Sequence, residues 1–351
     1  MPTAAARARI IKRIHQLLDE NEPQVQKAFL DSAARIVDDA VIKDLVAFIA
    51  RGDIEGAVRS LQIDAQAFAA LDQALVSAYA RAGTDTADNL PAITDRSGAR
   101  IVIRFGVRNP RAEAWARDHV GGLIRNITTD QLTAVRETIS SGLAAGRNPR
   151  STALDVIGRV NRATGRREGG IIGLTSRHAS TVQNARQALL QGDTEGMRSY
   201  LGLARRDKRF DATVLRALRE ERGVSADMVD RITGRLSDRY LALRGETISR
   251  SETLTAVNAG RQEAFAQGLE ATGYTEQDVE REWSSTGDNK VRDTHRAMDG
   301  QTVQGLNSVY NSPSGAVLRY PGDPSAPAAE RIQCRCIEII RLNFFGNIAE
   351  G

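Results

Sequence analysis

The sequence predicts an α+β chain with mainly helical N-terminal and central regions and a small C-terminal α+β domain. Apolar residues recur at three- and four-residue spacing almost without interruption as far as Thr272, the mark of amphipathic helices. From Tyr274 on, the pattern changes to short β-branched runs among seven glycines, four of the nine prolines and both cysteines. With 351 residues, 41% hydrophobic and 26% charged, the chain has ordinary globular composition and length for two or three domains.

Residues 1–95 read as a helical N-terminal region. Ile10, Ile11, Ile14, Leu17 and Leu18, then Val25, Phe29, Ala33, Ile36 and Val37, trace apolar stripes, and three or four helices are expected. Pro23 suits the first turn of the second, and Gly52-Asp53 breaks the pattern before a run from Ile54 through Ala82. Gly83 to Arg96 is polar and turn-rich and reads as a boundary, with Ile101-Val102-Ile103 a short strand beyond it.

Residues 96–247 form a helical, basic central region. Thr128-Thr129-Asp130 has the chemistry of an N-cap, since a hydroxyl or carboxylate there accepts the orphan amides of a first turn. Asn148-Pro149 ends one helix and starts the next by the same logic, and further helices are expected over 175–191, 210–222 and 226–246. Residues 248–351 combine a long helix, 248–272, with the small α+β domain, in which 282–286 and 337–340 read as strands.

Net charge is +4 and the isoelectric point is near 9.2, too mild to demand a nucleic-acid partner. The basic residues are 43 Arg and 5 Lys, a bias that reads first as coding composition. They concentrate between Arg147 and Arg250, where 21 basic residues face 12 acidic ones. Arg205, Arg206, Lys208 and Arg209 form a knot there that could touch DNA phosphates, and a solvated turn is the plainer reading. No apolar run reaches the ~18 residues that a membrane helix needs, so no membrane partner is expected. No apolar core follows the basic N-terminus, so no secretory leader is expected either. Two cysteines two residues apart cannot build a disulfide framework, which points to a reducing cytoplasm.

The densest group of chemistry-bearing residues lies in the C-terminal loops, from Asp288 to His295, with Asp299, Glu330, Cys334 and Cys336. His295, Cys334 and Cys336 would supply three ligands to a tetrahedral zinc, with an Asp as fourth. No cofactor is otherwise indicated. Against a metal stands the Cys-x-Cys spacing, tighter than the usual pairs; the cysteines would then be small buried hydrophobes beside a polar loop network. Arg250 and Glu252, in Glu246-Thr-Ile-Ser-Arg-Ser-Glu-Thr253, lead the long helix and read either as solvated pairs or as buttresses for those loops. His15, His119 and His178 lie in helical patterns as surface or interface residues. Phosphate-loop, zinc-protease and esterase motifs are absent from the sequence, and no catalytic constellation is complete.

An ordered motif set runs along residues 100–342. It comprises Gly165-Arg-Arg-Glu-Gly-Gly, Arg206-Asp-Lys-Arg-Phe-Asp211, Glu246 to Thr253, Trp283, Asp288-x-x-Val-Arg-Asp-Thr-His295, Met298-Asp-Gly300-Gln, Ser312-Pro-Ser-Gly315, Tyr320-Pro-Gly-Asp323 and Glu330-x-x-x-Cys-Arg-Cys336. This set resembles the phage Mu F-like minor head proteins of the phage head morphogenesis family. The resemblance implies a non-enzymatic structural protein of a tailed phage or prophage that assembles heads with the portal protein and the major capsid protein or scaffold. Contact with packaged double-stranded DNA, or ejection together with it, is the further implication, and the location is the head interior or portal vertex after assembly in the host cytoplasm. Some relatives carry Cys-x-x-Cys where this chain has Arg292 and His295. The resemblance therefore implies a salt-bridged cluster of Asp288, Arg292, His295 and Glu330 in place of a metal. A C-terminal metal-dependent enzyme or toxin-like module is the remaining alternative, with His295 as acid or base beside Asp288.

Overall fold

A computed structural model describes residues 4–90, 93–94, 100–272 and 274–342. Its helices are α1 (Ala4–Asp39), α2 (Ile42–Ala50), α3 (Ile54–Ser60), α4 (Ala69–Asn89), α5 (Pro110–Trp115), α6 (Gly121–Ala144), α7 (Pro149–Ile157), α8 (Ser176–Gln191), α9 (Thr194–Gly202), α10 (Asp211–Arg219), α11 (Ala226–Thr272), α12 (Asp293–Ala297) and α13 (Ala328–Arg331). The strands are short until β5 (Val279–Ser284); before it come β1 (Ile93–Thr94), β2 (Arg100–Ile101), β3 (Arg159–Val160) and β4 (Arg167–Glu168). After it follow β6 (Thr302–Gln304), β7 (Tyr310–Asn311), β8 (Val317–Leu318) and β9 (Ile337–Leu342). The chain is mainly helical with a small C-terminal α+β part, as its sequence predicts, and none of its described helices is long and apolar enough to cross a membrane.

Two compact units are assembled from separated stretches, Met1–Gln26, Leu71–Gly122 and Thr247–Gly351 in one, Lys27–Ala70 and Leu123–Glu246 in the other. The second unit is all helix apart from the β3–β4 hairpin. Phe29 stacks on Phe68 with ring centroids 6.4 Å apart, and Leu45, Ile49, Ile139 and Leu189 are fully buried. The first unit centres on the C-terminal half of α11, where every residue from Ser251 to Arg261 is buried. A Cβ on Gly260 would collide with the Tyr79 carbonyl, so α4 and α11 touch backbone to backbone at that glycine. The sheet has the antiparallel order β6-β5-β9, with Trp283 opposite Glu338 and Arg281 opposite Ile340.

Several sequence expectations are corrected. Pro23 lies inside α1 rather than opening a new helix. Proline removes one backbone donor, and here the side-chain amides of Asn21 and Gln24 donate to the Leu17 and Glu20 carbonyls, 2.7 and 2.9 Å away, on either side of the gap. Thr128-Thr129-Asp130 sits within α6, where Thr128 Oγ1 donates back to the Ile124 carbonyl. Asp130 caps a different helix, accepting from Ser176 N at the start of α8. Helices 226–246 and 248–272 are one helix, because Gly245 alone costs only ~1 kcal/mol of propensity and no proline interrupts the run. The run from Ile54 divides into α3 and α4, and Gly83 continues α4, with room only for the Phe105 ring where a Cβ would be. Val102 and Ile103 lie beyond β2, while residues 95–99 and Gly273 fall outside the described residues.

Candidate functional site

The motif from Glu246 to Thr253 opens the buried stretch of α11, and its residues hold the turn that delivers the cysteines. Gln333 adopts a left-handed φ of 59°, a strained conformation for a side chain with a Cβ. Its amide nitrogen donates to Ser251 Oγ (2.9 Å), its Nε2 to Thr247 Oγ1 (3.0 Å), and its Oε1 accepts from Arg250 (2.8 Å). Arg250 also reaches Glu22 at 3.3 Å. Two residues on, Glu252 lies 3.0 Å from His119 Nε2 and 3.6 Å from Arg331. Arg250 and Glu252 thus contact the Gln333 turn, Arg331 and His119. Further along the same helix, Thr255 and Asn258 donate to the Gly322 and Pro321 carbonyls at 2.6 and 2.7 Å, pinning the Tyr320-Pro-Gly-Asp323 turn.

Asp323 organises that turn. It accepts from the Arg319 amide and guanidinium and from the Ser325 amide and hydroxyl, and although burial alone would raise its pKa, these bonds hold it below the ordinary carboxylate range. A depressed carboxyl contributes stability that is complete above its unfolded pKa near 4 and is lost as pH falls through the lower folded value. Asp323→Asn should therefore lower the melting temperature at pH 7, and the gap to the parent should narrow as pH falls below 4; a gap that stays constant with falling pH would reject this account.

The turn at Gln333 leads through Cys334-Arg335-Cys336 into β9. In this extended stretch alternate side chains point the same way, so both sulfurs face α12 and Arg335 points elsewhere. His295 Nδ1 lies 3.4 Å from Cys334 Sγ and 3.4 Å from Cys336 Sγ, and all three residues are buried. On the other side of the ring, His295 Nε2 is 2.8 Å from Glu330 Oε2. Glu330 also accepts hydroxyl donors from Thr294 (3.1 Å), Ser312 (3.1 Å) and Ser314 (2.6 Å). Although burial alone would raise Glu330, the three hydroxyls and His295 leave it depressed. Cys336 supports a lowered Cys334 thiol and is itself raised by sharing that proton and by burial. Trp283 closes the site, edge-on to His295 at 5.1 Å and to Tyr310 at 5.3 Å.

The expected polar cluster divides in three. Of the four, only His295 and Glu330 meet side chain to side chain. Arg292 donates to the Glu330 and Ile332 carbonyls rather than to a carboxylate. Asp288 pairs with Arg335 at 2.6 and 2.7 Å. Asp299 accepts from Ser285 N at 2.7 Å and braces the turn after α12, where Gly300 takes φ 78° and donates to the Trp283 carbonyl. The basic knot separates as well. Arg206 makes a two-bond pair with Asp211 at 3.0 Å and Arg209 pairs with Asp207, while Arg205 and Lys208 are exposed.

Sequence reading missed a wholly buried pair of ionisable groups among the described residues. Arg281 and Glu338, both wholly buried, pair at 2.8 Å across β5 and β9. Tyr310 and Gln262 donate to Glu338, at 3.0 and 2.6 Å, and Arg281 donates to the Gly305, Ser308 and Arg319 carbonyls. The signal was a Glu inside the apolar run Cys-Ile-Glu-Ile-Ile and an Arg sharing the strand face of Val279 and Trp283. The cavity beside His295 and the cysteines, lined also by Thr286, Lys290, Arg292 and Arg335, has a volume of about 10 Å³. That is room for one water and not for an organic substrate.

Residues 210–339 match the family described as Phage Mu protein F like protein. No curated protein and no solved structure matches the chain.

Proposed function

We propose, for a chain that belongs to the Mu F-like phage head morphogenesis proteins through residues 210–339, that it acts as a minor head protein docked to the portal vertex or the inner capsid surface. That family is one of structural head proteins, and interaction with other head components comes with it. The observation that carries the finer reading is how the family-like motifs are used. Glu246 to Thr253 and the turn of α11 that follows hold two loops, Tyr320 to Asp323 and Glu330 to Cys336, on one helix, and the cavity beside His295 admits no organic substrate. Such a body presents a fixed surface, which suits docking rather than turnover. The portal protein, the major capsid protein and scaffold are the partners this reading assigns, with assembly in the host cytoplasm.

A second reading, association with packaged DNA and exit with it, draws on Arg205 and Lys208, exposed while their neighbours are paired. Contacts of that kind are electrostatic, independent of sequence and steeply weakened by salt.

Quantitative mass spectrometry of purified full heads and of empty precursor heads tests both. We expect a few to a few tens of copies per head in each. Copies that vanish from particles after DNA release would favour the ejected form. Absence from both particles, with abundant protein in the cytosol, would overturn the head assignment of this chain.

A further inference from the structure

We propose that His295, Cys334 and Cys336 bind one zinc ion through three protein ligands and one water, with Glu330 orienting the histidine from behind. The inference is independent of where the protein sits in the head.

The geometry is that of an assembled tetrahedral face. With Zn–S near ~2.3 Å and Zn–N near ~2.0 Å, a tetrahedral edge from sulfur to nitrogen is about 3.5 Å. Both Sγ to Nδ1 separations here are 3.4 Å, and the three donor atoms lie within 4.8 Å of one another. Two sulfurs and one imidazole are a soft donor set that selects zinc over magnesium or calcium.

The surroundings of each ligand fit the same assignment. Metal-bound histidine usually has a carboxylate behind its second ring nitrogen; here Nε2 lies 2.8 Å from Glu330 Oε2, close enough for an ion pair though not aligned as a hydrogen bond, and Glu330 is itself held by three hydroxyls. This placement removes Glu330 from the ligands, and the pairing of Asp288 with Arg335 removes the aspartate that the sequence suggested. Thiolates need donors as well. The Cys336 amide approaches Cys334 Sγ at 3.4 Å, and the wholly buried Trp283 packs in one core cluster with both cysteines. The fourth position opens on the water-sized cavity, where Thr286 Oγ1 is a buried hydroxyl without a partner. Two thiolates neutralise the ion, and Arg292 and Lys290 at the cavity face Glu330 and solvent.

Zinc there would tie α12 to the start of β9, closing a loop of about 40 residues and stabilising the C-terminal loops. Binding releases the two thiol protons and transfers no electrons.

The full chain, expressed in zinc-containing medium and purified without chelator, tests the proposal by metal analysis and zinc X-ray absorption. We expect about one zinc per chain, with two sulfur and two lighter neighbours. Chelation should lower the melting temperature and expose two thiols to a thiol reagent. Cys334→Ser/Cys336→Ser should lose the metal. Glu330→Gln should retain the stoichiometry and lose zinc to a competing chelator at ~10–100-fold lower chelator concentration, a readout that survives if the cysteine variant misfolds. Metal below a tenth of an equivalent with both thiols free, a Cys334–Cys336 disulfide, or undiminished zinc in a folded cysteine variant would each overturn it.

Discussion

Glu338→Ala should destabilise the unit containing the C-terminal sheet by about 3–5 kcal/mol, because it leaves a buried guanidinium without its counter-ion. Neither Arg281 nor Glu338 has measurable exposure, so water cannot take over the role of the lost carboxylate. The same substitution strands the hydroxyl of Tyr310 and the amide of Gln262, each of which donates to Glu338. Burial pushes the Glu338 pKa up, against the pull of Arg281 and Arg261, and pushes Tyr310 up further beside a negative charge. Both tryptophans, Trp115 and Trp283, belong to this unit, so denaturant unfolding followed by tryptophan fluorescence reads it directly. Arg281→Met/Glu338→Leu should recover part of the loss. The recovery is partial because the Gly305, Ser308 and Arg319 carbonyls lose their donor. A double-mutant cycle should therefore show coupling above about 1 kcal/mol. A loss under 1 kcal/mol in Glu338→Ala, or strictly additive singles, would show that the pair does not hold the sheet.

That pair marks the limit of what the sequence discloses. Helical periodicity located α8 and α10 to within a few residues, and Asn148-Pro149 located the start of α7, since an apolar stripe and a capping residue such as Asn148 or Thr175 are local signals. Local signals misled where a distant partner decided the outcome. Asp130 has the chemistry of a cap, and it caps α8 from within α6. Pro23 lies inside α1, although it supplies no donor to the carbonyl four residues before it. The site shows the same division. Cys334, Cys336 and His295 were legible as residue types and converge as the spacing allowed. Which acid faces the histidine was not, because Glu330, Asp288 and Asp299 are chemically alike, and only the β7–β8 turn with Ser312 and Ser314 selects Glu330. Arg250 and Glu252 could be read as solvated or buttressing until the Gln333 turn and His119 supplied their partners.

The second unit holds a comparable concentration of buried charge, and its loss should be read differently. Asp155 is 2% exposed and faces three guanidiniums, Arg147, Arg159 at 3.3 Å and Arg186 at 3.1 Å. Arg186 is nearly as buried, and Asp230, which is about a quarter exposed, shares Arg159 and Arg186. One buried carboxylate therefore organises part of the basic excess between Arg147 and Arg250, charge that is then not free to meet a phosphate backbone. Asp155→Ala should cost about 3 kcal/mol, the lower end for a broken buried pair, because Asp230 and Thr233 still engage Arg186. Asp230→Ala, at the more exposed partner, should cost no more than about 1 kcal/mol. Neither tryptophan lies in this unit, so fluorescence should stay silent while hydrogen exchange shows lost protection in α7 and α8, the helices that carry Asp155 and Arg186. Equal costs for the two substitutions would mean that the buried carboxylate is no more important than its exposed neighbour. If Asp155→Ala leaves α7 and α8 fully protected, the arginines are held by packing of their stems and not by this charge.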